Sequence, residues 1–233
     1  MLTYAKISRD STLKFYFSML LRGKVRLPFF FFFNAHLFDI FHRTDTHTWL
    51  PKELFLERPK NFDDAILYMA SWTSEIKRSF FALMSRRLFD KTYVFVDVGC
   101  GKGKACLLWK LLDRRYGNSS CRVVGIDFYE PFINIAKANH RLVFPGVEVH
   151  DFYQEDAVSF NYVQFRHRLI VYLYNPFNER IIVEVIKRIP INTIIIYNNP
   201  VHRTSFATSK FRTIYSHFGW HPNLNTIMFE KIS

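Results

Sequence analysis

The sequence predicts an α/β fold: a doubly wound, mostly parallel sheet with a C-terminal antiparallel hairpin, preceded by a helical N-terminal extension. Three observations carry this. From Tyr93 onward, near-continuous Val/Ile/Leu runs of strand length alternate with helix-period segments, the pattern of parallel strands covered on both faces. The first run leads at once into a glycine cluster. The last two, about 211–218 and 225–232, are joined through Gly219-Trp220-His221-Pro222, so they pair as a hairpin at the sheet edge.

The elements follow in order. Residues 11–22 place Leu13, Tyr16, Phe17, Leu20 and Leu21 at helical spacing, with Lys14 and Arg22 off that face and Ser11 as a cap. Leu27-Pro28 and five consecutive phenylalanines, Phe29 to Phe33, come next. Such a basic amphipathic segment with an aromatic cluster suits an anionic bilayer. The plainer expectation is that the phenylalanines cover the core or a dimer partner, because a large apolar patch is normally hidden. Residues 44–60, with Pro51 and Pro59, read as a connecting segment, and 61–89 as one long helix or two short ones, capped by Asn61 or Ser74. The division expected is an extension at 1–60 and a core domain at 61–233.

In the core, strands are expected at 93–98, 121–127, 147–149, 169–174 and 193–197, with helices at 104–116, 131–141 and 179–189. Pro131 suits the first turn of its helix.

Composition bounds what such a chain does. Of 233 residues, 49% are hydrophobic, which excludes a disordered or collagen-like chain, and the net charge of +12 fits an anionic partner. Residues 1–43 hold nine of the 26 Phe and a net charge of +5, so the aromatic and basic character is concentrated in the extension. Cys100, Cys106 and Cys121 are odd in number and lack C-x-x-C spacing, which argues against a disulfide framework or a zinc site and for a reducing, cytoplasmic setting. No metal-ligand set is evident. Charged and polar residues break the apolar run between Phe15 and Phe41, so no spanning helix is expected there, and no leader cleavage site follows the start.

The chemistry-bearing residues sit at the strand ends, where an open α/β sheet binds its ligands. Asp97-Val-Gly99-Cys-Gly101-Lys-Gly103 closes the first strand and holds three of the chain's eight glycines. Glycine there allows close backbone approach to a ligand at the start of a helix. A dinucleotide loop requires a third glycine where Lys104 stands, and the phosphate-loop spacing is absent, so a nicotinamide oxidoreductase is disfavoured. Asp127 closes the second strand, where a carboxylate accepts both hydroxyls of a ribose. Asp156, in Glu155-Asp156-Ala157, follows the third, where an exocyclic amine is read.

On these residues the chain resembles the class I S-adenosylmethionine-dependent methyltransferases, with their Rossmann-like sheet, over roughly residues 90–233. VFVDVGCGKG stands for the glycine motif, GIDFYEPFINIAKAN for the ribose strand and helix, and EDA for the adenine region. The resemblance implies that Asp97 and the backbone at Gly99, Gly101 and Gly103 hold the methionine moiety of S-adenosyl-L-methionine. It implies that Asp127 binds the ribose, Asp156 and Ala157 the adenine edge, and Phe128 the adenine face. More narrowly, VFVDVGCGKGKACLLW with YLYNPF and IIIYNNPVH is similar to a group of small bacterial methyltransferases of unassigned substrate. In that group an Asp-x-x-x-x-Thr pattern precedes the core, and DIFHRTDTHT at 39–48 is its equivalent here.

The acceptor side is read from the fourth strand end, Tyr174-Asn175-Pro176-Phe177. It resembles the Asn-Pro-Pro-aromatic motif of methyltransferases acting on planar amines. There the Asn oxygen and a carbonyl accept the amine hydrogens, and the aromatic stacks on the acceptor. Phe177 stands where the second proline is expected, and a rigid strand-to-helix turn is the competing reading. Asn198-Asn199-Pro200 ends the fifth strand, so the two motifs are expected on one rim, with His202 as a general base or an ordinary surface histidine. The expected activity is SN2 methyl transfer to an unidentified acceptor, nitrogen favoured. The alternative is a non-catalytic module that binds nucleic acid or an anionic membrane surface through its basic extension. That extension also makes a peripheral membrane location compatible with the sequence.

Overall fold

A computed structural model describes residues 14, 16–21, 25–48, 68–88, 93–117, 121–149, 151–165 and 167–233. Seven strands form one sheet in the order β3-β2-β1-β4-β5-β7-β6. They are β1 (Tyr93–Val98), β2 (Arg122–Asp127), β3 (Phe152–Gln154), β4 (Arg168–Tyr174), β5 (Ile194–Asn198), β6 (Phe211–His217) and β7 (Thr226–Lys231). The first five are mutually parallel; β7 enters antiparallel between β5 and β6. The order reverses between β1 and β4, so the crevice for a ligand opens beyond their C-terminal ends.

The central strands are buried on both sides because their runs offer apolar side chains to each face. Phe95, Ile170, Tyr172 and Ile196 pack on one side, and Val94, Val96, Val171 and Ile195 on the other. The first side is covered by α3 (Thr73–Ser85) and α4 (Lys104–Leu112), where the Phe95 and Trp109 rings stack at 4.2 Å. The second is covered by α6 (Glu179–Arg188), whose Ile181, Ile182, Val185 and Ile186 recur at helical spacing. Asn178 caps α6, its side chain accepting the Ile181 N–H at 3.2 Å. Between β2 and β3 runs α5 (Glu130–Val143), with Pro131 in its first turn.

Three expectations are corrected. The third strand lies at Phe152–Gln154 instead of 147–149, with Phe152 opposite Gly125. The Phe152 ring fills the space left by Gly125 and Gly103, where added Cβ atoms would lie 2.7 and 3.1 Å from it. A local Val-x-Val alternation does not reveal that long-range fit. Within 61–89 the described helix is Thr73–Ser85; Asn61 lies outside the described residues, and Ser74 lies inside the helix instead of capping it. The cap comes from far away in sequence: Asn34 Oδ1 accepts the Ser74 N–H at 3.0 Å and the Thr73 hydroxyl at 3.3 Å. Finally, of the five phenylalanines only Phe31 is buried, and the expectation that the run covers the core fails for the other four.

The extension grips the glycine motif. It contains α1 (Arg26–Phe31), a π-helical stretch (Phe32–His36) and α2 (Leu37–His42). Widened π turns are frequent at functional sites, and here the carbonyls of Asn34 and Ala35 receive the buried Lys104 ammonium at 2.6 and 2.8 Å. Burial lowers the Lys104 pKa to about 7. Lys102, fully buried, reaches both Asp45 carboxylate oxygens at 3.0 Å and the Thr48 hydroxyl at 2.7 Å.

The Asp-x-x-x-x-Thr segment is a closed hydrogen-bonded knot. The Asp39 carboxylate accepts from the Thr44 hydroxyl, the Thr46 N–H and hydroxyl (both 2.8 Å) and His47 Nδ1. Burial works against its charge, yet the His47 and Thr44 bonds win and hold its pKa below the usual value. Asp39→Ala strands these donors in a buried site, so we expect a loss of about 2–3 kcal/mol. Thermal denaturation should register it as a fall in Tm of roughly 5–10 °C.

Candidate active site

Loop geometry follows from the glycines. Gly99, Gly101 and Gly103 all have positive φ (77°, 50° and 84°), a region other residues enter only with strain. A side chain at Gly99 would lie 2.7 Å from Pro176 Cβ, and one at Gly101 would overlap the Tyr68 ring. The loop is therefore clamped between the β4 end and Tyr68.

The amides of this loop are engaged by the protein itself. The N–H groups of Gly99 and Cys100 both donate to the Ile126 carbonyl at 2.9 Å, Gly101 N–H donates to Asp127 Oδ2 at 2.8 Å, and Gly103 N–H to the Cys100 carbonyl at 2.9 Å. The three glycines thus serve the site by close approach and curvature, their own N–H groups being taken up by Ile126, Asp127 and Cys100. Gly103 faces Ala136 and Phe152, as a glycine for helix–sheet packing does.

Beside the loop lies an open pocket lined by residues from four strand ends. Gly99, Asp127, Phe128, Asp156 and Ala157, read from the sequence as cofactor residues, line it together with Phe177, read as an acceptor-side residue. Ile126, Glu155 and Ile181 complete it; the two isoleucines read as ordinary strand and helix core, so no local signal marked them.

Asp127 is buried and its oxygens accept the N–H groups of Gly101 and, at 2.9 Å, Tyr129. Burial raises its pKa to about 6, the Tyr129 and Gly101 bonds opposing the rise. Each carboxylate oxygen retains a further lone-pair direction for a hydroxyl donor. Asp156 accepts the Val158 N–H at 2.8 Å and so heads its own turn while facing the pocket.

Asp97 sits beneath this site, 4% exposed, with the Cys106 thiol 3.8 Å away as its hydrogen-bond partner among the described residues. Burial pushes its pKa up to about 8, and the Asp127 charge adds to the rise. A buried carboxylate with so weak a donor suits an incoming cation. This donor set fits S-adenosylmethionine: an acid for its ammonium, an acid for its ribose, and an acid beside apolar surfaces for its adenine.

On the neighbouring rim, Asn175 and Asn199 end β4 and β5 with positive φ, 41° and 49°, which Asn tolerates better than most residues. The Tyr197 hydroxyl bridges Asn175 and the His202 backbone: it donates to Asn175 Oδ1 and accepts the His202 N–H, both at 3.3 Å. Asn175 and His202 are thus brought together, as expected from adjacent strand ends. Tyr197 is the residue that sequence reading missed, because it looks like the last apolar position of a buried strand. Asn198 faces inward, its amide donating to the carbonyls of Asn223 and Asn225 and to the Thr226 hydroxyl.

Among the described residues no cluster of His, Cys, Asp or Glu suits a metal ion, and no helix is long and apolar enough to cross a membrane.

Comparison with known proteins agrees with this geometry. A family model described as a methyltransferase domain matches residues 89–218. A variant of MtNAS solved with S-adenosylmethionine superposes with a TM-score of 0.51 at 16% identity, covering 69% of this chain and 63% of that one. A putative methylase from Haemophilus influenzae gives 0.50 at 13% identity, covering 68% and 99%. The chain therefore spans less than two thirds of the length of MtNAS, and at these identities the likeness concerns the fold. None of the curated proteins matches the sequence. The family match covers more than half of the chain and includes the glycine loop, the pocket and the rim, and the chain belongs to the methyltransferase-domain family.

Proposed function

We propose that this methyltransferase transfers its methyl group to a nitrogen acceptor presented at the Asn175 rim. The observation that carries this reading is the Asn175 side chain, oriented by the Tyr197 hydroxyl at the end of β4, two residues before Phe177 of the cofactor pocket. A bound S-adenosylmethionine supplies a methyl carbon already activated by its sulfonium. The protein's task is then alignment of the acceptor lone pair with that carbon, and correct alignment is worth many powers of ten in rate. Asn175 Oδ1 retains a lone pair to accept an N–H of the acceptor, and Phe177 offers a flat apolar surface beside it. As the new N–C bond forms and the C–S bond breaks, the nitrogen loses its proton to solvent or to a base; His202 is the imidazole on this rim. In this reading Asp127, Asp156 and Phe128 would hold the adenosine and Asp97 the amino-acid end.

The test is a screen with methyl-labelled cofactor against amine, amide, hydroxyl and carboxylate acceptors. Label in an amine or amide, reduced about a hundredfold by Asn175→Ala with unchanged cofactor binding, supports the reading. Label transferred to oxygen, or an unchanged rate in Asn175→Ala, overturns it.

A further inference from the structure

We propose that the outward face of the N-terminal helices docks onto an anionic lipid bilayer, as a contact lying on the membrane surface. Residues 16–21 and α1 share a small core of their own, Met19, Leu27, Phe31 and Ala35 closing on Trp72 and Leu224. With their inner sides satisfied, these helices hold a second apolar set outward. Phe17 is 63% exposed, Leu21 73%, Phe29 62% and Phe33 57%. Trp220, exposed at the hairpin turn, extends the set through an edge contact with Phe30 at 5.1 Å. Solvent-facing apolar residues this dense mark a partner.

Charge selects which partner. Residues 1–43 carry a net +5. Lys14, Arg26 and Arg43 are exposed, whereas Asp39, the acid on α2, is turned inward and held by Thr44, Thr46 and His47. Among the described residues of the extension as far as Arg43, the outward charges are therefore all positive. Two copies meeting through this face would bring like charges together. A nucleic acid has little use for the aliphatic surface of Leu20, Leu21 and Val25. A bilayer with anionic headgroups satisfies both features, taking the rings and aliphatic groups into its interface and the cations at its surface. The same helical segment holds Lys104 of the glycine motif, so docking would set the cofactor loop one helix away from the lipid.

The experiment is flotation of the full chain with vesicles of phosphatidylcholine alone and of phosphatidylcholine with phosphatidylglycerol, at low and high salt. We expect flotation with the anionic vesicles, at least about tenfold weaker with neutral ones, and weakened by salt. Phe29→Ser with Phe33→Ser should lose about tenfold or more while leaving Tm unchanged, since both side chains face solvent. Lys14→Glu with Arg26→Glu should remove the preference for anionic vesicles. Absence of flotation overturns the proposal, as does equal flotation of the double Phe variant. A dimer in light scattering that this variant dissolves also overturns it, and assigns the face to a second copy. Cofactor binding should be the same in all variants, so failure here leaves the methyltransferase reading standing.

Discussion

Asp97→Asn is expected to raise the Tm of the cofactor-free protein, by an amount that grows from pH 5 to pH 8. The sign follows from the direction of the shift. Burial lifts the Asp97 pKa from 3.8 in the unfolded chain to about 8. Between those values the native state holds a proton that the unfolded state has lost, so each rise in pH favours unfolding. The penalty is absent below the unfolded value and complete above the folded one. At about 1.4 kcal/mol per unit, the removal of this penalty is worth several kcal/mol at pH 8, less the cost of burying the amide's own donors. The comparison must be made against the unaltered chain at each pH. Burial lowers the pKa of both His36 and His140 to about 4, which gives the whole protein an opposing slope.

The same variant is expected to bind S-adenosylmethionine and S-adenosylhomocysteine about 10- to 100-fold more weakly, because the ligand ammonium loses its buried counter-charge. Binding to the unaltered protein near pH 7 should release a proton as the carboxyl ionises against that cation. Titration calorimetry in buffers of different ionisation enthalpy measures this release. Unchanged affinity in Asp97→Asn would remove Asp97 from the cofactor site.

Asp127→Ala is expected to reduce affinity for both forms of the cofactor by about a hundredfold or more. Two hydrogen bonds from ribose hydroxyls to a buried carboxylate are each worth about 1.5–3 kcal/mol. The substitution also strands the Gly101 and Tyr129 N–H groups that this carboxylate accepts. Asp127→Asn separates the two effects. Its remaining oxygen accepts from one of those amides, and its fold should be nearer to that of the unaltered protein, while ribose recognition stays impaired. Isothermal titration with S-adenosylhomocysteine, with circular dichroism as the check on folding, decides the matter. Affinity within threefold of the unaltered value, as an order of magnitude, would contradict the ribose assignment.

Much of the site was legible in the chain because strand ends are local events. Val-Phe-Val-Asp97 followed by spaced glycines announces a buried strand entering a tight turn, and Gly-Ile-Asp127 repeats the logic one strand later. Asn175 and Asn199 were readable as rim residues for the same reason: each closes an apolar run before a proline. What these residues do for one another was not legible. Nothing local says that Asp127 accepts the Gly101 amide 26 positions away, or that Tyr197 joins Asn175 to His202.

The lysines make the point most sharply. In Gly101-Lys102-Gly103-Lys104, Lys104 reads only as the residue that breaks a dinucleotide motif, and Lys102 carries no signal at all. In the fold both are buried, one on Asp45 and Thr48, the other on the carbonyls of a π-helical turn 70 residues earlier. An ammonium is buried only where acceptors surround it, and those acceptors arrive by tertiary packing.

By itself the sequence determined the α/β class, the position of the glycine loop, the acids at the first strand ends and the concentration of Phe and positive charge ahead of the core. Those are matters of period, strand length and composition, which each segment carries alone. Tertiary structure decided the third strand's register through Phe152 and two glycines, the capping of α3 by Asn34, and the outward exposure of most of the Phe run. Each of these depends on what volume or polar group a distant segment leaves unfilled.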